Sequence, residues 1–96
     1  MPNYVVLGKW TDQGVRTVKD SPKRAAAASA LAEKMGGKMD LWYTMGEYDF
    51  VAIANAPNDE TLMQIALQLG SQGNVRTTTL KAWSVADASK IVAKIQ

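Results

Sequence analysis

The sequence predicts an α+β sandwich, a four-stranded antiparallel sheet with two crossover helices packed on one face. Three observations predict it. Four short segments are rich in β-branched and aromatic residues, the mark of strands. Helical apolar spacing fills the stretch between the first and second of them, and that between the third and fourth. The second and third are separated only by a glycine-led turn.

Residues 3–10, NYVVLGKW, read as the first strand. Thr11 caps a short helical turn over Asp12–Arg16. Ser21 is the expected N-cap of the first crossover helix, with Pro22 at its first position. KRAAAASALAEKM continues that helix on the strongest helix former, and Gly36-Gly37 stops it. Ala25, Ala28, Leu31, Ala32 and Met35 share one side, so helix and sheet should approach closely. Residues 38–45, KMDLWYTM, alternate as the second strand. Gly46-Glu47 suits a two-residue type II′ turn, and residues 48–54, YDFVAIA, form the third strand. Asn58 caps the next helix, with Asp59 and Glu60 at the positive end of its dipole and Leu62, Ile65, Ala66 and Leu69 inward. GSQGN, 70–74, is a loop without phosphate-loop spacing. Residues 75–83, VRTTTLKAW, are the fourth strand. Ser84 caps a last helix whose apolar side is Val85, Ala88, Ile91, Val92 and Ile95. The order β-α-β-β-α-β plus a helix is the split βαβ, or ferredoxin-like, arrangement. One domain, 1–96, is expected.

Composition narrows the function. The chain holds 11 basic and 9 acidic residues, a net charge of +2, too even to predict nucleic acid or an anionic membrane surface as partner. It has no cysteine and no histidine. That removes thiolate chemistry, the commonest general base near neutral pH and the commonest transition-metal ligand. No metal site, cofactor or catalytic residue is assigned. MPNYVVLGKW lacks a basic n-region and a long apolar run, so a cytoplasmic protein without a secretory signal is expected.

A sheet covered on one side leaves the other to water or a partner. Alternation groups the strand residues by face. Val5, Leu7, Leu41, Val51, Ile53 and Leu80 are expected beneath the helices. Tyr4, Val6, Trp10, Trp42, Phe50, Thr77 and Thr79 are expected on the open face, too aromatic a set for water. A homodimer through that face is expected, with a cavity there for a small organic ligand.

The candidate ligand-binding residues are Trp10, Trp42, Tyr48, Asp49 and Arg76. Asp49 stands at the start of an apolar strand, where a carboxylate must be solvated, paired or hydrogen-bonded. Its structural reading is a strand-end acceptor of turn amides, or a partner of Arg76, Lys9 or Lys81. Its functional reading is a proton acceptor or ligand anchor. The tryptophans pack the sheet and the dimer, or wall a pocket for a flat molecule. Arg76 and the Thr77–Thr79 run supply strand formers, or donors to an anionic ligand group.

TMGEYDFVAIANAPNDE, with LGKWTDQG and KDSPKR upstream and LGSQGNVRTTTLKAW downstream, resembles the GYD-domain family. The family's name comes from a Gly-Tyr-Asp signature, which here reads Gly46-Glu47-Tyr48-Asp49 with a glutamate inserted. The resemblance implies a ferredoxin-like domain of the dimeric α/β barrel type, in which two sheets pack face to face. It implies little about activity, the family being of largely unknown function. The expected function is a homodimeric small-molecule-binding or regulatory module; the alternatives are a cofactor-independent enzyme of monooxygenase type on a small hydrophobic substrate and a purely structural dimer.

Overall fold

The computed structural model describes residues 1–96. It contains β1 (Asn3–Trp10), α1 (Asp12–Arg16), α2 (Ser21–Lys34), β2 (Lys38–Tyr43), β3 (Phe50–Asn55), α3 (Asp59–Ser71), β4 (Val75–Ala82) and α4 (Val85–Val92). The strands form one antiparallel sheet in the order β2-β3-β1-β4. The expected α+β ferredoxin-like architecture is therefore present.

Local chemistry explains the helix starts. The Thr11, Asn58 and Ser84 side chains accept from the amides of Gly14, Thr61 and Asp87, satisfying donors that a helix start leaves free. Ser21 differs from expectation. A 3₁₀ turn over Val18–Asp20 feeds α2, Asp20 holds the cap position without a side-chain bond, and Ser21 already lies in the helix. Its hydroxyl is hydrogen-bonded to that of Tyr43 at 2.6 Å instead.

The hairpin is wider than a two-residue turn. β2 ends at Tyr43 and β3 begins at Phe50. The Thr44 amide donates to the Asp49 carbonyl at 3.0 Å, closing a loop over residues 45–48. The Thr44 hydroxyl donates to the Tyr48 carbonyl at 2.6 Å and fixes that width. Gly46 has φ +107°, so the glycine requirement holds although the turn type does not.

The helices cover the face that the sequence reading left open. Tyr4, Val6, Met39, Ala52 and Ala54 are buried in one cluster with Ala28 and Ala32 of α2 and Leu62 and Ile65 of α3. Phe50 is buried too, and Trp10 and Thr77 line the space beneath α2. Thr79 borders α3. Cross-strand register sets Val5 between Ile53 and Leu80, and Leu7 between Val51 and Thr78. These belong to the bare face, where Ile53 is 52% and Leu80 48% exposed. Only Leu41, beneath the helices, and Trp42, on the bare face, lie where the alternation placed them. Where α2 lies on the sheet, its Ala28 and Ala32 share the layer with Ala52 and Ala54, and Tyr4, Val6 and Met39 fill the rest of it.

α4 follows β4 through Trp83 and Ser84, and none of its residues is buried. Val85, Ile91 and Val92 are exposed on its apolar side, and Ile95, expected there too, lies beyond the helix end.

Candidate functional site

A cavity of about 60 Å³ lies between the sheet and α2. Its wall is built around Trp10. The Tyr43 ring meets Trp10 edge-on, with centroids 6.1 Å apart, and Phe50 lies tilted at 5.3 Å. Met39, Leu41, Ala52 and Leu69 add apolar surface. Gly8 makes room for the arrangement, since a Cβ there would come within 2.0 Å of Phe50 Cζ.

Asp49 holds this wall in place from behind. Its amide donates to the Gly8 carbonyl at 2.8 Å, and its carboxylate accepts the Trp10 amide at 2.9 Å. Beyond Phe50 the β1–β3 ladder has ended, and the Trp10 N–H would lack a partner. The carboxylate supplies the missing acceptor. That accounts for a charge at the start of an apolar strand.

The charged part of the lining comes from α2, and Gln72, Asn74 and Thr77 add neutral polar groups. Arg24 Nη1 donates to the Thr17 carbonyl and hydroxyl, both at 3.1 Å, and Nη2 to the Gly14 carbonyl at 3.2 Å. The guanidinium carbon stands 5.9 Å from the Trp10 ring centroid. Arg24 Nε is buried without a hydrogen-bond partner. Ser21 and the Tyr43 hydroxyl also face the cavity.

The five residues singled out from the sequence do not form one cluster. Trp10 lines the cavity, and Asp49 positions Trp10. Tyr48 lies in the hairpin loop with Lys9 Nζ 5.2 Å from its ring centroid. Lys9 also stands 4.0 Å from Glu47. Trp42 is 67% exposed on the opposite face of the sheet. Arg76 is exposed on β4, opposite Lys9 in register, and borders a shallow groove with Met63 and Leu67 of α3. Arg24, Ser21 and Tyr43 were not foreseen. One signal for Arg24 was present: a cation in the first turn of a helix opposes the dipole and calls for a compensating role.

A second polar cluster ties the layers together. The buried Tyr4 hydroxyl donates to the Asp59 carboxylate, which also accepts Lys81 Nζ at 3.1 Å. Burial first, then the bond to Asp59 and the nearby negative charges, push the Tyr4 phenol up to about 12. The bond from Tyr4, followed by that from Lys81, holds the Asp59 carboxyl below its ordinary value. No group of three His, Cys, Asp or Glu side chains is placed to hold a metal ion. No helix is long and apolar enough to cross a membrane.

The GYD domain model matches residues 4–92. A Thermus thermophilus protein, the "Glutamine synthetase and cystathionine beta-lyase binding protein", is 36% identical over 89 residues, covering 91% of this chain and 94% of that one. Among solved structures, TTHA0845 from Thermus thermophilus superposes with a TM-score of 0.58 at 23% identity, covering 88% of this chain and 96% of that one. At3g17210 from Arabidopsis thaliana gives the same TM-score, 0.58, at 11% identity, with 88% and 96% covered. These two likenesses establish the fold alone.

Proposed function

The chain belongs to the GYD-domain family, and from that premise we propose that it is a homodimeric binding module that acts on other proteins and takes a small ligand beneath α2. The observation that carries the dimer is surface area. The chain exposes 6607 Å². A folded monomer of 10.4 kDa is expected to expose about 5,400 Å². The excess is larger than the roughly 800 Å² that each partner loses in a standard interface. Its radius of gyration, 14.6 Å, also exceeds the roughly 12.5 Å of a compact chain of this length. Val5, Leu7, Trp42, Val51, Ile53 and Leu80 make the bare sheet face apolar enough to receive a second sheet. The relative's name supports binding to other proteins, and a chain without cysteine suits work in the cytoplasm.

Sedimentation equilibrium at micromolar concentration tests the dimer, with twice 10.4 kDa as the expected mass. A single 10.4 kDa species would overturn it. Trp42→Lys should weaken the dimer, because it buries a charge between two apolar sheets. Purified glutamine synthetase and cystathionine β-lyase are the first probes for protein binding. Saturable binding of either by the dimer is expected, and binding of neither would remove that half of the reading.

A further inference from the structure

We propose that the cavity beneath α2 binds a small monocarboxylate with a short apolar tail, the carboxylate held by Arg24. This deepens the small-ligand part of the preceding reading and does not depend on the dimer.

The argument starts from an unmatched charge. Arg24 belongs to neither of the two ion pairs in the chain. No aspartate or glutamate lines the cavity, so its lining carries one formal charge, and that charge is positive. Its partners inside the protein are the carbonyls of Gly14 and Thr17 and the Thr17 hydroxyl, all neutral. A buried N–H without an acceptor is costly, more so on a charged group. Arg24 Nε–H is such a donor. Nε and Nη2 share one edge of the planar guanidinium, and the Gly14 carbonyl uses only one of the two Nη2 hydrogens. That edge takes a carboxylate through two parallel bonds. Ser21 and Tyr43 add a second donor, because their mutual hydrogen bond consumes one of two hydroxyl protons.

The remaining lining sets the tail. Phe50, Leu41, Met39 and the Trp10 ring offer apolar surface, and the polar residues beside them, Gln72, Asn74 and Thr77, are uncharged. The volume, about 60 Å³, is below the roughly 150 Å³ that accommodates benzene. It therefore suits a tail of about two or three carbons rather than an aromatic ring. A cation is disfavoured by the guanidinium, and a neutral molecule leaves its charge unmatched.

The test is a titration of 15N-labelled protein with sodium butyrate, butyramide and butylammonium chloride, followed through the Arg24 Nε–H and Trp10 indole resonances. Butyrate should shift both saturably and bind about tenfold or more tighter than butyramide, with butylammonium weaker still. Arg24→Gln should lower butyrate affinity about tenfold and leave the weak butyramide binding unchanged. Where that variant fails to fold, the three-probe series on the wild-type protein decides alone. Equal binding of butyrate and butyramide would overturn the inference while the cavity remains a ligand site. Binding of none of the three at millimolar concentration would overturn both.

Discussion

On the covered face, Ala52 and Ala54 of the sheet are buried with Ala28 and Ala32 of α2 beside Tyr4, Val6 and Met39; on the bare face, Val5, Leu7, Trp42, Val51, Ile53 and Leu80 stand without a layer above them. Both faces are apolar, and they differ in that only the covered face mixes alanines with its large side chains. A helix backbone comes close only where the sheet is small-chained. Two sheets packing at roughly 10 Å need long side chains between them to fill the gap. In this chain, alanines mark where α2 comes close, and the bare face offers the long side chains that a second sheet would need.

The largest expected effect separates the two faces directly. Ile65 of α3 is almost fully buried, so Ile65→Ala should cost about 2–5 kcal/mol at every protein concentration. If the bare face is the proposed dimer interface, Ile53→Ala should cost stability that grows with protein concentration. Urea midpoints at two concentrations measure both, and an Ile53→Ala loss independent of concentration would break the comparison.

Tyr4→Phe comes next. It removes a hydrogen bond to a charged group and should cost about 1.5–3 kcal/mol near neutral pH. The Tyr4 pKa is raised from 10.0 to about 12, so its contribution is complete below pH 10 and fades as pH climbs toward 12. The Asp59 pKa is lowered from 3.8, so its contribution is present above that value and fades as pH falls through the folded one. Tyr4→Phe should erase the alkaline loss and make the acid loss shallower, read as urea midpoint against pH.

Gly8→Ala tests how tightly Phe50 packs over β1. A single methyl group should force Phe50 aside and cost about 1–3 kcal/mol. An Arg24 Nε–H resonance unchanged in that variant would show that Phe50 does not shape the cavity. The smallest effect belongs to Asp49. Asp49→Asn keeps an oxygen that accepts the Trp10 amide and should cost less than about 1 kcal/mol, whereas Asp49→Ala should cost about 1–3 kcal/mol. Equal losses would mean that the charge matters rather than the acceptor.

Signals that act over a few residues were legible in the sequence. Asn58 and Ser84 cap the helices assigned to them, Gly46 takes the positive φ its turn requires, and the strand order follows from the element order. Features set by distant contacts were not. Alternation grouped Val5 with Leu7 but held no information on which group met the helices, and hydrophobicity chose the wrong one. The width of the hairpin depends on Thr44 and on where β1 ends. Trp10 could be singled out as an aromatic strand residue. Arg24 carried only the weak signal of a cation in a helix's first turn, and the KR pair looks solvated until Trp10 is seen beside it.

The sheet order has a consequence for the ribosome. β1 lies inside the sheet, and its second neighbour is β4, with Asn3 opposite Ala82. The first strand made thus waits for the last before both its edges are paired. Contacts so far apart in sequence delay folding, because the loop must close before pairing rewards it. Until β4 emerges, β1 exposes a row of unpaired amides and carbonyls with Val5 and Leu7 alongside, the kind of edge that recruits other chains. A nascent chain of this protein should therefore depend on chaperone cover until residue 82 has left the exit tunnel.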